Sequence, residues 1–297
     1  MSFGQKTAGN TFQRAIDQML NSHQDYAAGY IDDVSVFSDQ WTKHLDHLEK
    51  VLQEFLKSGM TLKIKKCFFG RSKIQFLGHM VGGGEVSVVQ SKIDAITNMP
   101  EPTTKKLLRS FLGMCNYYRT FIPLFADTAV SLTELTKGEK TGRLQFNETQ
   151  RQAFNALKER LSNSTKLSVP LYDRPFKIQT DASDYAIGSC LTQIDDNGQE
   201  RPLAFASSKL SDTEKRWSTL EKEAYAVVHA LRQFDHIVFS SRIDLYTDHD
   251  PLQYMINANP KCMKLTRWAL HLSRYDLHVH HKAGVLNTNA DCMSRLI

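Results

Sequence analysis

Four acidic side chains in the second half of the chain sit where solubility does not account for them. Asp181 ends the strand-like run Phe176-Lys177-Ile178-Gln179-Thr180, Asp248 closes the alternating run Ile243-Asp244-Leu245-Tyr246-Thr247, and Asp291 opens the short tail Asp291-Cys292-Met293-Ser294-Arg295. Glu223 lies within the helical run Leu220 to Phe234, followed at helical spacing by Ala226, Val227, Ala230, Leu231 and Phe234. That periodicity sets Glu223 on or beside a buried face. An ionised carboxylate is costly there unless a cation or a metal answers it, and no lysine or arginine shares that face. Each acid alone also fits an ordinary surface residue. Together, at strand and helix ends, they suggest a convergent all-oxygen cluster for hard divalent cations. Such a donor set suits Mg²⁺ or Mn²⁺, whereas zinc prefers His or Cys. His278 and His280 share a strand face, but no cysteine or third ligand lies at zinc spacing. Asp184, Asp244 and Asp250 read as solvated or capping acids.

The elements that must position these groups are legible from about Leu171 onward. Asp196-Asn197-Gly198 joins two strands as a hairpin. A third strand (Pro202 to Ala206), the Glu223 helix, the Asp248 strand, a helix containing Trp268 and a closing strand near Tyr275 to Val279 follow. Three antiparallel strands, a helix, then further strand and helix make an α/β order.

The front half opens with a helical pattern from Thr11 to Leu20 and reaches Tyr30-Ile31-Asp32-Asp33, two acids at a tight turn between strand residues. A second helix carries Leu45, Leu48, Leu52 and Phe55 at packing spacing and ends at Gly59. Lys63, Lys65, Lys66, Arg71 and Lys73 form a basic run interleaved with Phe68, Phe69 and Phe76, a pattern shared by nucleic-acid footprints and solvated strand faces. Gly82-Gly83-Gly84 marks a loop. Helices are expected over Ser91 to Met99 and Lys105 to Phe121, with Pro123 stopping the second. Gly138 to Gly142 reads as a linker, and Asn147 with Gln150 as a capping box for a helix through Phe154, Leu157 and Leu161.

Composition sets outer bounds. At 297 residues and 41% hydrophobic, the chain has room for two or three domains with real cores. The net charge of +5 is uneven: residues 1–170 balance at +6 and residues 171–297 at −1. A basic front and an acid-centred back suit a phosphate grip beside a metal site. Five cysteines without a CxxC pair argue for a reduced, intracellular protein. No signal peptide and no apolar run near membrane-spanning length are present, so no membrane partner is expected.

The order of the four acids, set in Thr180-Asp181-Ala182-Ser183-Asp184, Glu221-Lys222-Glu223-Ala224-Tyr225, Tyr246-Thr247-Asp248-His249 and Asn289-Ala290-Asp291-Cys292, resembles the ribonuclease H of gypsy-type LTR retrotransposons. Phe3-Gly4-Gln5-Lys6-Thr7-Ala8-Gly9-Asn10-Thr11-Phe12 and Tyr30-Ile31-Asp32-Asp33 resemble the palm of the same family's reverse transcriptase. Phe76-Leu77-Gly78-His79 resembles the approach to its thumb, and Arg109-Ser110-Phe111-Leu112-Gly113 with Asn116-Tyr117-Tyr118-Arg119 a thumb helix that contacts template–primer. Gln5 and Gly9-Asn10 depart from the family's usual residues.

The resemblance implies an α/β (α+β) chain: a partial palm (1–78), a thumb-like helical region (79–137), a connection (138–170) and a ribonuclease H-like mixed sheet with flanking helices (171–297). It implies two Mg²⁺ ions, with Mn²⁺ able to replace them, held by Asp181, Glu223, Asp248 and Asp291, and a proton-handling role for His281 beside them. Its substrate would be the RNA strand of an RNA–DNA hybrid, gripped with primer–template by Lys63, Lys65, Lys66, Arg71, Lys73 and Arg119. Asp32 and Asp33 would supply two of a polymerase's three acids, the third lying upstream. The palm is therefore read as a remnant without primer extension. The remainder of a polyprotein is the implied partner, and the cytoplasm or a virus-like particle the implied location. The alternative is a non-catalytic nucleic-acid-binding fragment, domesticated or decayed.

Overall fold

Glycines mark several turns of the first half, at Gly59, Gly70, Gly78 and Gly82 to Gly84, and the hairpin at Gly198 in the second. The computed structural model describes residues 7–138, 143–164, 166–247 and 263–281, with the backbone alone at His281. It divides into two units at Leu77 and Gly78.

In the first unit, helix α1 (Ala8–Leu20) and helix α2 (Trp41–Ser58) flank a hairpin of β1 (Ala27–Tyr30) and β2 (Asp33–Val36), and a short strand β3 (Ile74–Phe76) follows. Ile16, Leu20, Ala27, Val51 and Phe55 form its core. Only part of the apolar stripe expected on α2 is used. Phe55 is buried, Leu48 is half-buried, and Leu45 and Leu52 stay 50% and 40% exposed. One hairpin and one neighbouring helix cover only a narrow stripe of an 18-residue helix. Gly59 ends α2 at φ 68°, letting the Met60 N–H reach the Phe55 carbonyl at 3.2 Å, a turn that a residue with a Cβ adopts only under strain.

The second unit begins with β4 (His79–Gly82) and β5 (Glu85–Val88), joined through Gly83 and Gly84 at φ 63° and 72°, both in the left-handed region that a two-residue hairpin turn demands. Helices α3 (Gln90–Thr97), α4 (Lys105–Tyr117), α5 (Phe125–Leu135) and α6 (Glu148–Ser162) follow, and β6 (Leu167–Ser168) pairs with β5. The sequence reading missed β4 and β5, whose four residues each are too few for periodicity to register. It also carried α4 too far and missed α5. A 3₁₀ turn at Arg119–Phe121 closes α4, and after Pro123 the chain passes through Leu124 at φ 48° and re-enters helix.

The principal sheet contains β7 (Phe176–Ala182), β8 (Ala186–Ile194), β9 (Glu200–Lys209), β10 (Arg242–Thr247) and β11 (Asp276–His281) in the order β11-β10-β7-β8-β9. β7, β8 and β9 are antiparallel neighbours, whereas β10 runs parallel to both β7 and β11. Between β9 and β10 lies helix α7 (Thr219–Val238), the crossover that a return to parallel pairing requires, and helix α8 (Met263–Leu272) precedes β11. Strand alternation gives the sheet two dry faces. Phe176, Ile178, Leu191, Ile243 and Leu245 pack under α7 and α8, while Cys190 and Phe205 on the other face join the core of α3 to α6 around Phe111, Leu132, Phe154 and Leu157.

Two stability tests follow from this packing. Asn147 caps α6 with both reciprocal capping-box bonds at 2.9 Å, so Asn147→Ala should lower the unfolding free energy by about 1 kcal/mol in urea titrations, and an unchanged midpoint would contradict the cap's role. His229, inside α7, is held down to about pKa 4 by burial, then by Arg119 and Arg232, with Glu214 opposing them. Its folded pKa lies below the ordinary 6.5, so the unfolded chain binds the extra proton between the two values and stability falls as pH drops through that window. His229→Gln should flatten that limb of the stability–pH curve; a limb that keeps its slope would exclude His229 as its source.

Candidate active site

The residues proposed to carry chemistry separate by how the sheet places them. Asp181 lies one residue from the end of β7, opposite Gly188 of β8. By alternation it shares a face with Lys177 and Gln179, the face turned away from α7. Glu223 sits in the second turn of α7 and is 2% exposed. The same end of α7 is fixed over the β7–β8 turn. Lys222 Nζ donates to Asp184 Oδ1 at 2.8 Å, and Ala226 packs with Ile187 and Ala182. The structure thus brings Asp181 and Glu223 to one end of the sheet, the first from a strand terminus and the second from the helix above it.

Local sequence explains the placement of α7. Ser218 and Glu221 form a reciprocal capping box, which starts the helix at Thr219, four residues before Glu223. Glu221 also accepts from Lys264 Nζ at 2.5 Å, and that ammonium stands 4.0 Å from the Trp217 ring centre and 5.2 Å from that of Trp268. This clasp ties α8 to the first turn of α7. The sequence reading missed it, although Ser218-Thr219-Leu220-Glu221 carries the capping signature.

β10 ends at Thr247, with Tyr246 opposite Gln179 of β7. Asp248, next in sequence, lies outside the described residues, as do Asp250 and Asp291. The side chain of His281 also lies outside them, although its backbone closes β11 opposite Thr247. At the strand ends, Thr180 Oγ1 and Thr247 Oγ1 are buried and find no hydrogen-bond partner among the described residues. Asp181 and Glu223 offer only oxygen donors, the chemistry that fits Mg²⁺ or Mn²⁺, while Thr180 points to the face opposite Asp181. Among the described residues no three His, Cys, Asp or Glu side chains stand close enough to hold a metal; two of the four acids in question are not among them.

The acids set aside as non-ligands have other partners. Asp184 is paired with Lys222, whose hydrogen bond holds the carboxyl below the usual range. Asp244 meets Arg242 at 3.2 Å and His280 at 3.3 Å, and His280 stacks on Tyr246 with ring centres 4.8 Å apart. His278 lies 3.2 Å from Asp276.

In the first unit, Asp32 and Asp33 are both exposed at the β1–β2 turn. Ile31 before them adopts φ 52°, a strained value for a β-branched residue. Gln13 anchors it, accepting from the Ile31 N–H at 2.6 Å while donating to the Gly29 carbonyl at 3.0 Å. Lys63, Lys65, Lys66, Arg71 and Lys73 are all exposed, beside Phe68 and Phe69 at 72% and 53% exposure. Arg119 belongs to the second unit and is engaged inside it. Its Nη2 donates to the Ser207 carbonyl, its guanidinium lies 5.6 Å from the Phe125 ring centre, and burial lowers its pKa.

Comparison with known proteins agrees with this architecture. Residues 1–81 match the reverse transcriptase (RNA-dependent DNA polymerase) family, and residues 171–275 match the RNase H-like domain found in reverse transcriptase. The retrovirus-related Pol polyprotein from transposon opus of Drosophila melanogaster is 36% identical along 100% of the chain, and that from transposon gypsy of the same organism is 34% identical along 99%. The chain spans 30% and 29% of the length of those relatives. The fold is that of the foamy viral protease-reverse transcriptase: its structure in complex with RNA/DNA hybrid superposes with a TM-score of 0.80 at 20% identity, covering 96% of this chain and 39% of the viral one. Its dRH form in complex with double-stranded DNA gives 0.81 at 22% identity, covering 92% and 49%. With both domains matched and relatives aligned along its whole length, the chain belongs with the reverse transcriptase–ribonuclease H regions of gypsy-type retrotransposon Pol polyproteins.

Proposed function

We propose that residues 171–297 hydrolyse the RNA strand of RNA–DNA hybrids, with Asp181, Glu223, Asp248 and Asp291 as the metal-binding carboxylates and His281 assisting proton transfer. The observation that carries the reading is Glu223, a carboxylate 2% exposed on α7, whose buried residues are otherwise apolar apart from Lys222, at the sheet end where Asp181 lies one residue from the end of β7. A buried acid at the sheet end that also holds Asp181 is the placement a pair of metal-binding carboxylates would need. Bound divalent ions would supply charge neutralisation and an activated water. The chain's own residues would hold the ions, orient the scissile phosphate and keep the pocket dry beneath α7.

The exposed basic and aromatic segment Lys63 to Lys73 supports a nucleic-acid grip in the first unit, with stacking from Phe68 and Phe69 and charge from the lysines. In this reading residues 1–78 are palm, 79–137 thumb and 138–170 connection. Arg119 would serve hybrid binding indirectly, because its guanidinium is committed to Ser207. The longer polyprotein would act in the cytoplasm or in a virus-like particle.

Glu223→Gln keeps the side chain's shape and removes its charge. Cleavage of a labelled hybrid in Mg²⁺ should fall by more than about 100-fold, the upper range for losing a group that only supports a ligand. The thermal midpoint without Mg²⁺ should hold or rise. Full activity in Glu223→Gln would end the proposal, and a lowered midpoint with unaltered cleavage per folded molecule would make Glu223 structural. A non-catalytic binding fragment would show no metal-dependent cleavage in either protein. For the grip, replacing Lys65 and Lys66 together by alanine should reduce the slope of log affinity against log salt by about two, whereas an identical slope would remove these lysines from the interface.

A further inference from the structure

One row of residues runs straight across three strands. Asp181 on β7 faces Gly188 on β8, and Gly188 faces Ser207 on β9. All three lie on the sheet face turned from α7, beside Cys190 and Phe205, which belong to the core shared with α3 to α6. The turn between α4 and α5 seats itself along this row. Arg119 Nη2 donates to the Ser207 carbonyl, and the Ala126 N–H at the start of α5 donates to Ser207 Oγ at 3.0 Å. Leu124, the left-handed residue that starts α5, fills the place a side chain on Gly188 would take: a Cβ there would stand 2.7 Å from Leu124 Cδ2. Two residues beyond Asp181, Ser183 Oγ donates to Asp127 Oδ1 at 3.5 Å.

We propose that Leu124 and Arg119 are positioning residues for Asp181: the α4–α5 turn, outside the ribonuclease H-like segment, fixes the strand row that presents this carboxylate. The inference rests on Asp181 being a metal ligand. Its physical basis is that the partner opposite Asp181 is a glycine, which offers no side chain to fix the strand's height, so Leu124 supplies the missing packing. Arg119 and Ala126 lock the far end of the row through Ser207. A carboxylate must be held to within about half an ångström to bind two ions productively. A strand free to shift on this face would lose affinity for the metal before it lost its fold.

The test uses the full chain, without nucleic acid, and reads the rise in thermal midpoint with Mg²⁺ concentration. Gly188→Val forces Leu124 from its seat. It should raise the Mg²⁺ concentration for half-maximal stabilisation by about tenfold, the range seen when a ligand's supporting contacts are lost, and the midpoint without Mg²⁺ should also fall because the added side chain overpacks the site. Adding Leu124→Ala to Gly188→Val restores the space and should bring the Mg²⁺ requirement back to within about twofold of the parent. Arg119→Met should impair metal response in the same way, without a partner mutation that rescues it. An unaltered Mg²⁺ requirement in Gly188→Val, or a double variant as impaired as the single, overturns the positioning role. A parent chain with no Mg²⁺ response that Glu223→Gln abolishes overturns the metal-site reading, and this inference with it.

Discussion

A carboxylate buried to 2% exposure in the second turn of α7 is the feature around which the contacts at that end of the helix are arranged. Glu223 reaches its position only if α7 begins at the right residue and lies across the end of β7. The Ser218–Glu221 capping box sets the first condition and the Lys222–Asp184 pair the second. Lys264, between Trp217 and Trp268, adds a clasp from α8. Each contact is modest by itself, since capping and partly exposed ion pairs contribute on the order of 1 kcal/mol or less. Acting on one helix turn, they specify a geometry that burial of Ala226, Val227 and Leu231 then makes costly to change.

The sheet is supported differently on its two faces. Under α7 and α8 it is a continuous apolar core. On the other face β8 and β9 are covered by α4, α5 and α6, which share buried residues with Cys190 and Phe205. The helical region is therefore part of the sheet's core, and a segment cut at residue 171 would expose that face. Glu134 of α5 also bonds Lys209 at the end of β9, and the lysine holds the glutamate down to about pKa 2, with Lys137 assisting. These contacts run from helices α4 to α6 to the sheet that would carry the chemistry.

Much of this was legible in the sequence, because long amphipathic segments and turn residues announce themselves. The α7 and α6 helices, the Asn147–Gln150 cap, the Asn197-Gly198 hairpin and the burial of Glu223 all follow from spacing alone. What escaped were features fixed by tertiary contact. Strands β4 and β5 are too short for a period, and α5 follows a proline because Leu124 accepts a left-handed conformation no local rule assigns to leucine. Arg119 reads in sequence as a basic residue free for phosphate, yet its partner is a carbonyl 88 residues away. The exposed leucines of α2 show the converse: a periodic stripe indicates which side is apolar, and only the neighbouring elements decide how much of it is covered.

In the proposed function, Asp181 and Glu223 bind divalent metal jointly at the end of β7. Mg²⁺ titration of the full chain by isothermal calorimetry, with Asp181→Asn and Glu223→Gln alongside, tests it most directly. The parent chain should give a saturable Mg²⁺ heat that each single substitution weakens by at least about tenfold, with the double variant little worse than either, because the two acids serve one site. Equal Mg²⁺ binding in the parent and both variants would contradict it.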